Sequence, residues 1–291
     1  MSINKQYSDK AHAKINLYLD VISKRNDGFH NIKSIMQSVS LYDRIDLMIT
    51  EHENDILTCN VPGIPTDEGN LAIKAVNAFR ESLGLDFGVK LHLEKNIPSA
   101  AGLGGGSSDA AAVLRLLKLA VGADISDNKM IKIAERVGAD VPFCLFGGTM
   151  LASGKGEELS RLSVCPKLYL VVAIKGEGVS TPWAYSRLDE QFGDFGGIRD
   201  EGRLDNLLNA LTNHDSKGVV SNLYNIFEAV VEGERPMVSH IKETLLACGS
   251  SAVLMSGSGP SVLGFFDEKG QALAADDALR CEGAKAYFCT T

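Results

Sequence analysis

Pro98-Ser-Ala-Ala-Gly102-Leu-Gly104-Gly-Gly106-Ser-Ser108-Asp109 joins a strand pattern to a helix pattern through almost nothing but small residues. Upstream, Val89, Leu91 and Leu93 alternate with Lys90, His92 and Glu94, the period of a half-buried strand. Downstream, Ala110, Val113, Leu114 and Leu117 fall at helical spacing over 110–120, and Gly122 supplies a stop. A glycine loop therefore feeds a helix. The N–H groups at a helix start are unpaired and carry partial positive charge, and glycines let backbone approach an anion with no Cβ in the way. Ser107, Ser108 and Asp109 are good capping residues, and the serine hydroxyls can reach a phosphate oxygen or a bound metal. The same residues equally describe a flexible connection capped by serine. Two commoner phosphate loops are excluded. No Gly-Lys-Ser/Thr closes the stretch, and glycines at 102, 104, 105 and 106 do not fit G-x-G-x-x-G. Nor does a strand-borne acid follow at dinucleotide spacing, where the polar run Asp124-Ile-Ser-Asp-Asn128 stands instead.

Composition narrows the class. The 291 residues are 45% hydrophobic and 23% charged, an ordinary globular balance and long enough for two domains. A net charge of −8 argues against nucleic acid as a general partner, although a few lysines and backbone amides still suffice for a nucleotide. The 6 cysteines are scattered with no C-x-x-C, which reads as reduced thiols and neither a disulfide frame nor a zinc site. No apolar run approaches membrane-span length and no signal-peptide core is visible, so a cytoplasmic protein with no membrane contact is expected.

From the N-terminus, Ala13, Ile15, Leu17, Leu19 and Val21 fall on one strand face, and Lys14, Asn16, Tyr18 and Asp20 on the other. Lys14 and Asn16 point the same way, either as a solvated face or toward a ligand. Lys24 to His30 is a polar turn that sets Phe29 beside His30, a pair suited to the face and edge of a heterocycle, although a lone histidine is commonly structural. Alternation returns over 38–49 with an interruption at Tyr42-Asp43-Arg44; residues 51–69 read as loop around a short strand. Asn70 opens a helix over 70–80, as a cap or as a ligand contact. A helix over 128–137 stops at Gly138; Asp140 follows, with Pro142 forcing an extended exit, so the carboxylate is either a turn residue or a positioned one. Phe143 to Phe146 and Thr149 to Ala152 read as short strands, and 153–158 as a linker that divides the chain into 1–155 and 156–291.

The second half begins with a strand over 167–174, then a small-residue loop that runs through Thr181 and Pro182 to Trp183 and Tyr185, where an exposed aromatic either stacks on a ligand or seals a domain interface. Residues 186–203 read as loop, followed by helices over 204–211, 219–231 and 236–247. Met255-Ser256-Gly257-Ser258-Gly259-Pro260 lies between two apolar strands, as a hairpin or as a second backbone clamp echoing the first glycine loop. A helix over 267–279 and a last strand from Ala286 complete the pattern.

Ala13-Lys14-Ile15-Asn16-Leu17, Arg25 to His30, Pro98 to Asp109, Gly138 to Phe143 and Met255 to Pro260 together resemble the GHMP kinases, the small-molecule kinases related to galactokinase, homoserine kinase and mevalonate kinase. The resemblance runs in family order through Phe266. Its Ala-Lys-Ile-Asn-Leu, Asp-Gly-Phe-His and Gly-Ala-Asp-Val-Pro segments are similar to the branch that phosphorylates the 2-hydroxyl of an alcohol carrying cytidine diphosphate, on the non-mevalonate route to isoprenoids. It implies an α+β fold of two domains, the N-terminal one like the second domain of ribosomal protein S5 and the C-terminal one ferredoxin-like. ATP and Mg²⁺ are the implied cofactors. Pro98, Ser99, Ala100, Ala101, Gly102, Leu103, Gly104, Gly105, Gly106, Ser107 and Ser108 would wrap the ATP phosphates, with Asn70 near the adenine and Ser107 or Ser108 on the metal. Asp140 would be the base, Lys14 its neighbour. Phe29, His30 and Tyr185 would hold cytosine; Asn16, Thr181, Pro182, Gly257 and Ser258 would complete the substrate site. The working form would be a monomer or homodimer. Two departures stand out: Phe29 replaces a usual tyrosine, and Asn225-Ile226-Phe227-Glu228 replaces Asn-Asp-Leu-Glu. The competing readings are a GHMP kinase for another small alcohol and a non-catalytic nucleotide-binding homologue; competition by CMP separates the first and an ATP-turnover assay the second.

Overall fold

The alternation from Ala11 to Val21 belongs to a longer strand. In a computed structural model of the chain, β1 runs Gln6–Lys24 and β2 runs His30–Thr50. Residues 3–51, 54–122, 124–193, 195–197 and 199–291 are described, so small parts of the expected loops 51–69 and 186–203 lie outside the described residues. β2 continues through the interruption expected at Tyr42-Asp43-Arg44. Asp43 is fully buried there, and its carboxylate accepts the backbone N–H groups of Asn96 and Ile97, so a polar residue is satisfied without breaking the strand. The chain forms two compact units that interleave along the sequence.

The first unit takes the segment ending at Ala13, Tyr42–Pro98 and Gly104–Gly147. It contains β3 (Ile56–Cys59), α1 (Leu71–Leu83), β4 (Gly88–Glu94), α2 (Gly105–Val121), α3 (Asp127–Val137) and α4 (Val141–Phe146). β4 lies between β2 and β3; Leu91 faces Leu47 across the antiparallel pair and Leu57 across the parallel one. Ile45, Leu47, Val76, Phe79, Leu114 and Leu117 share one buried core, joining sheet to helices. Burying side chains of this size contributes about 2 kcal/mol each.

Two local expectations are corrected here. α2 starts at Gly105, ahead of the Ala110 start read from periodicity, so Ser107, Ser108 and Asp109 lie inside the helix and Gly104 (φ +67) occupies the cap position. Phe143 to Phe146 is helix α4, not strand: Pro142 sits in its first turn, where the missing N–H would have no partner, and Asp140 has φ −86 and ψ −10, not an extended backbone.

The second unit takes Lys14–Leu41, Ser99–Leu103 and Gly148–Thr291. It contains β5 (Thr149–Ser153), β6 (Glu158–Arg161), β7 (Tyr169–Ile174), α5 (Thr181–Phe192), α6 (Glu201–Thr212), α7 (Ser216–Ser221), β8 (Tyr224–Asn225), α8 (Glu228–Val231), α9 (Pro236–Ala247), β9 (Ala252–Met255), β10 (Val262–Phe266), α10 (Lys269–Cys281) and β11 (Lys285–Thr290). The segment expected as a linker, 153–158, is the turn of a hairpin in which Ser153 pairs with Glu158. Its run of glycine and charge reflects a tight turn, which has the same composition as a linker.

β7, β9, β10 and β11 form an antiparallel sheet in the order β11-β7-β10-β9. Helices follow the first and third of these strands, which is the β-α-β-β-α-β ferredoxin-like arrangement. Two readings in this half are revised. The helix expected over 219–231 is broken into α7, β8 and α8, because Asn225 turns its side chain to the Met255 and Gly257 carbonyls and accepts the Phe227 N–H. The first part of the loop expected over 186–203 completes α5, and Gly193 (φ +60) ends that helix.

Candidate active site

In the first unit the site is built around the start of α2. Gly104 has no side chain with which to cap, so it offers the first-turn N–H groups of α2 no side-chain acceptor. That is the condition for an anion to bind there. Ser107 is partly exposed, whereas Ser108 is 1% exposed and donates its hydroxyl to the His12 carbonyl. Asn70 caps α1: its side-chain oxygen accepts from Ala72 N (2.9 Å), and its amide donates to the Pro65 carbonyl (2.7 Å). Asp140 stands at the mouth of α4, held between Gly138 and Pro142, and its side chain makes no capping bond to that helix.

Behind the α2 start lies an ionic cluster that sequence reading missed. The Lys95 ammonium is bonded to Asp43 and to Asp109 (2.6 Å to Asp109), and all three side chains are nearly inaccessible. Burial pushes the Asp109 carboxyl up to about 7 against the pull of Lys95, and its Oδ1 has no hydrogen-bond partner among the described residues. Asp43 also receives the N–H groups of Asn96 and Ile97, so the cluster ties the residues entering the glycine loop to those leaving it. Lys95→Met would leave two acidic side chains buried without their shared cation. We expect it to cost about 3–5 kcal/mol, read as a lower urea midpoint at unchanged slope. An unchanged midpoint would show that the cluster does not support the fold.

In the second unit, Lys14 and Asn16 are 6% and 1% exposed, so theirs is not a solvated strand face. Lys14 Nζ donates to Asn16 Oδ1 (3.0 Å), Asn16 Nδ2 to Ser34 Oγ (2.7 Å), and Ser34 Oγ to the Tyr18 carbonyl (2.8 Å). The chain orients a cation and an amide together. Lys14 N–H also bonds the Leu103 carbonyl at 2.9 Å, anchoring the loop segment 99–103.

The two small-residue loops meet within this unit. A Cβ on Gly102 would lie 2.2 Å from the Ser256 carbonyl oxygen, one on Gly257 would lie 3.1 Å from the Gly102 oxygen, and Ser256 Oγ donates to Gly102 O at 3.2 Å. The hairpin reading of 255–260 holds, since Met255 pairs with Val262 across β9 and β10. Ser258 Oγ and Thr181 Oγ1 are 2.9 Å apart, and Pro182 lies in the first turn of α5.

An aromatic cluster forms in the same unit. Phe29 is 59% exposed, with Lys155 Nζ 5.1 Å from its ring centre. His30 is buried. It stacks on Tyr185 (4.7 Å, 21°), and Phe195 meets it edge-on (5.6 Å, 81°). Tyr185 is only partly buried and packs edge-on against Phe227. Asp189, Lys24 and Phe195 were not singled out from sequence because Asp189 and Phe195 lie in the stretch read as loop. Continuing the helix past Tyr185 by one turn places Asp189 on the same face, and that spacing was the available signal.

All 6 cysteines are free. Among the described residues no three His, Cys, Asp or Glu side chains gather as a metal site. Lys14 belongs to the second unit and Asp140 to the first.

Comparison with known proteins adds the class. Residues 70–148 match the family model of the GHMP kinases N terminal domain, and residues 198–285 that of GHMP kinases C terminal. A 4-diphosphocytidyl-2-C-methyl-D-erythritol kinase of Caldicellulosiruptor saccharolyticus is 41% identical over 93% of this chain and 92% of its own length. The protein of the same name from Caldicellulosiruptor bescii is 40% identical over 93% of each. A crystal structure of 4-(cytidine 5'-diphospho)-2C-methyl-D-erythritol kinase matches with a TM-score of 0.80 and 34% identity, covering 98% of both chains. The chain belongs to the GHMP kinases, and so is a small-molecule kinase with ATP as its co-substrate. Both of these relatives carry one name, which supplies the substrate to be tested.

Proposed function

We propose that this chain transfers the terminal phosphoryl group of ATP to the 2-hydroxyl of 4-diphosphocytidyl-2-C-methyl-D-erythritol, a step of the non-mevalonate isoprenoid route. The observation that carries the phosphoryl-transfer reading is the start of α2 that Gly104 leaves without a side-chain cap, fed by a loop whose Gly102 meets the backbone of a second loop. The choice of acceptor is supported by relatives of that name at 41% and 40% identity over nearly the whole chain.

Phosphoryl transfer asks a protein mainly for alignment and counter-charge. In the proposed site Pro98 to Ser108 receive the phosphates through backbone N–H groups, and Asn70 lies at the adenine end. Asp140 takes the proton of the attacking hydroxyl. Lys14 favours the ionised carboxylate and offsets the negative charge that grows on the transferring group. Asn16, already bonded to Lys14, orients the acceptor's polyol. Phe29, His30 and Tyr185 grip the base, with Thr181, Pro182, Gly257 and Ser258 along the remainder of the substrate. Of the two serines considered for Mg²⁺, Ser107 fits because it is partly exposed, whereas Ser108 is 1% exposed. Mg²⁺ held by nucleotide oxygens and Ser107 would supply counter-charge.

The division into an ATP-binding part, 1–155, and a C-terminal part, 156–291, is supported by family models that match on either side of that boundary. The reaction is placed in the cytoplasm, with a monomer or homodimer as the working form. Among the described residues no helix is long and apolar enough to cross a membrane.

The deciding assay follows ADP release with ATP and the cytidylated substrate. We expect saturable turnover that CMP inhibits competitively against the acceptor. Turnover without CMP competition would reassign the chain to another small alcohol, and no turnover would overturn the kinase proposal for this acceptor.

A further inference from the structure

Arg115, well inside α2, gives all three of its guanidinium nitrogens to neighbouring elements of the first unit. Nε donates to Asp9 Oδ2 at 2.7 Å and Nη2 to the Lys10 carbonyl at 3.1 Å; Nη1 donates to the carbonyls of Cys144 and Leu145 at 2.8 and 3.3 Å. Asp9 and Lys10 belong to β1, and Cys144 and Leu145 to the last turn of α4. A helix end leaves its carbonyls unpaired and carries partial negative charge, so a cation that donates there meets both needs. Two turns earlier on the same face of α2, Ser108 donates to the His12 carbonyl, and its Oγ lies 3.3 Å from Cys144 Sγ. The C-terminal part of α4 is thus held against α2 and β1 at two points. Asp140 stands at the opposite end of this 6-residue helix, where its side chain makes no capping bond.

We infer that Arg115 is a positioning residue for phosphoryl transfer, which by clamping the C-terminal carbonyls of α4 sets the place of Asp140 relative to the start of α2. This role rests on the proposed reading of Asp140 as the base and of the α2 start as part of the phosphate grip. At about 1.5 Å per residue α4 is about 9 Å long, so a tilt of about 6° at its anchored end carries Asp140 about 1 Å. A misplacement of about that size can slow a reaction by about a hundredfold. Because α2 both opens at the phosphate grip and carries Arg115, one helix gauges the distance between the anion and the base. Lysine is no substitute. An ammonium is a single point of charge, whereas the planar fork of Arg115 reaches a carboxylate and three carbonyls at once. Arg115 itself need touch neither nucleotide nor acceptor.

The test compares the full-length wild type with Arg115→Lys, Asp140→Asn and the double variant. Each is read by ADP release with ATP and the cytidylated acceptor saturating, by an ATP-binding titration and by urea unfolding. The Arg115 and Asp9 side chains are 33% and 32% exposed and lysine keeps the positive charge, so Arg115→Lys is expected to fold. We expect it to lower kcat at least about tenfold while the ATP dissociation constant changes by less than about threefold. In the Asp140→Asn background the same change should slow turnover by no more than about twofold, since no base is then left to misplace. A merely structural Arg115 would lower the urea midpoint and leave kcat per folded molecule as it was. Three results would each overturn the inference while Asp140 stands as the base: an unchanged kcat, a loss of ATP affinity as large as the loss of kcat, or the same fold-loss in both backgrounds. Near-normal turnover by Asp140→Asn alone overturns the base assignment and the role of Arg115 with it. Arg115→Gln, with one amide donor and no charge, is read against the same outcomes if the lysine variant does not fold. Failure of both to fold would make Arg115 a support of the fold itself and overturn its positioning role.

Discussion

Asp140→Asn is expected to fold, to bind ATP with little change, and to turn over at least about a hundredfold more slowly, the usual consequence of losing a general base. The expectation rests on where the carboxylate sits. Gly138 ends α3, Pro142 occupies the first turn of α4, and Asp140 is fixed between them without spending its side chain on capping. An asparagine of the same shape keeps that backbone. It cannot accept the hydroxyl proton as the new phosphorus–oxygen bond forms, and it removes the negative charge opposite which Lys14 is proposed to act. Steady-state ADP release with both substrates saturating, together with a nucleotide-binding titration, reads the two effects separately. Near-normal turnover would remove Asp140 from the mechanism, and a large loss of ATP binding would place its role in the nucleotide site.

Gly102→Ala is expected to be far more damaging than alanine at other left-handed glycines. Gly102 has φ +75, a conformation that already costs an alanine about 1–2 kcal/mol, and its added Cβ would lie 2.2 Å from the Ser256 carbonyl oxygen. Both obstacles are backbone, so no rotamer relieves them. Either the loop segment 99–103 or the 256–260 turn must move. We expect thermal unfolding to fall by several degrees and ATP affinity to drop at least about tenfold, since the shifted backbone is the proposed phosphate grip. Gly122→Ala is the control: its φ is +68 but nothing lies within 4 Å of the new Cβ, so only the conformational cost of about 1–2 kcal/mol applies. If the two variants unfold alike and bind ATP alike, the contact between the loops has no functional weight.

Elements whose pattern is purely local were legible in the sequence. The alternation of Val89, Leu91 and Leu93 is β4, and the Asn70 cap opens α1. Reading failed where a distant partner decided the outcome. Asp43 looked like a strand breaker because Asn96 and Ile97, which satisfy it, lie far along the chain. Asn225 breaks a continuous helical pattern because its amide has carbonyl partners at Met255 and Gly257. Pro142 was read as extended although a first-turn proline suits a helix equally well.

The candidate residues were nominated by motif. What the motif did not carry was their support: the Lys95 cluster behind the glycine loop and the Asp189 carboxylate on His30. These depend on pairs separated by 14 to 159 residues, and no spacing rule within a single strand or helix reaches that far.

Because Lys14–Leu41 and Ser99–Leu103 are integral to the second unit, a cut after residue 155 would deprive the later fragment of β-strand and loop that its fold counts as its own. The two halves of this gene are thus poor candidates for separate expression. An exchange that respects this division has to move several separate stretches at once, because each unit is assembled from three pieces of the chain.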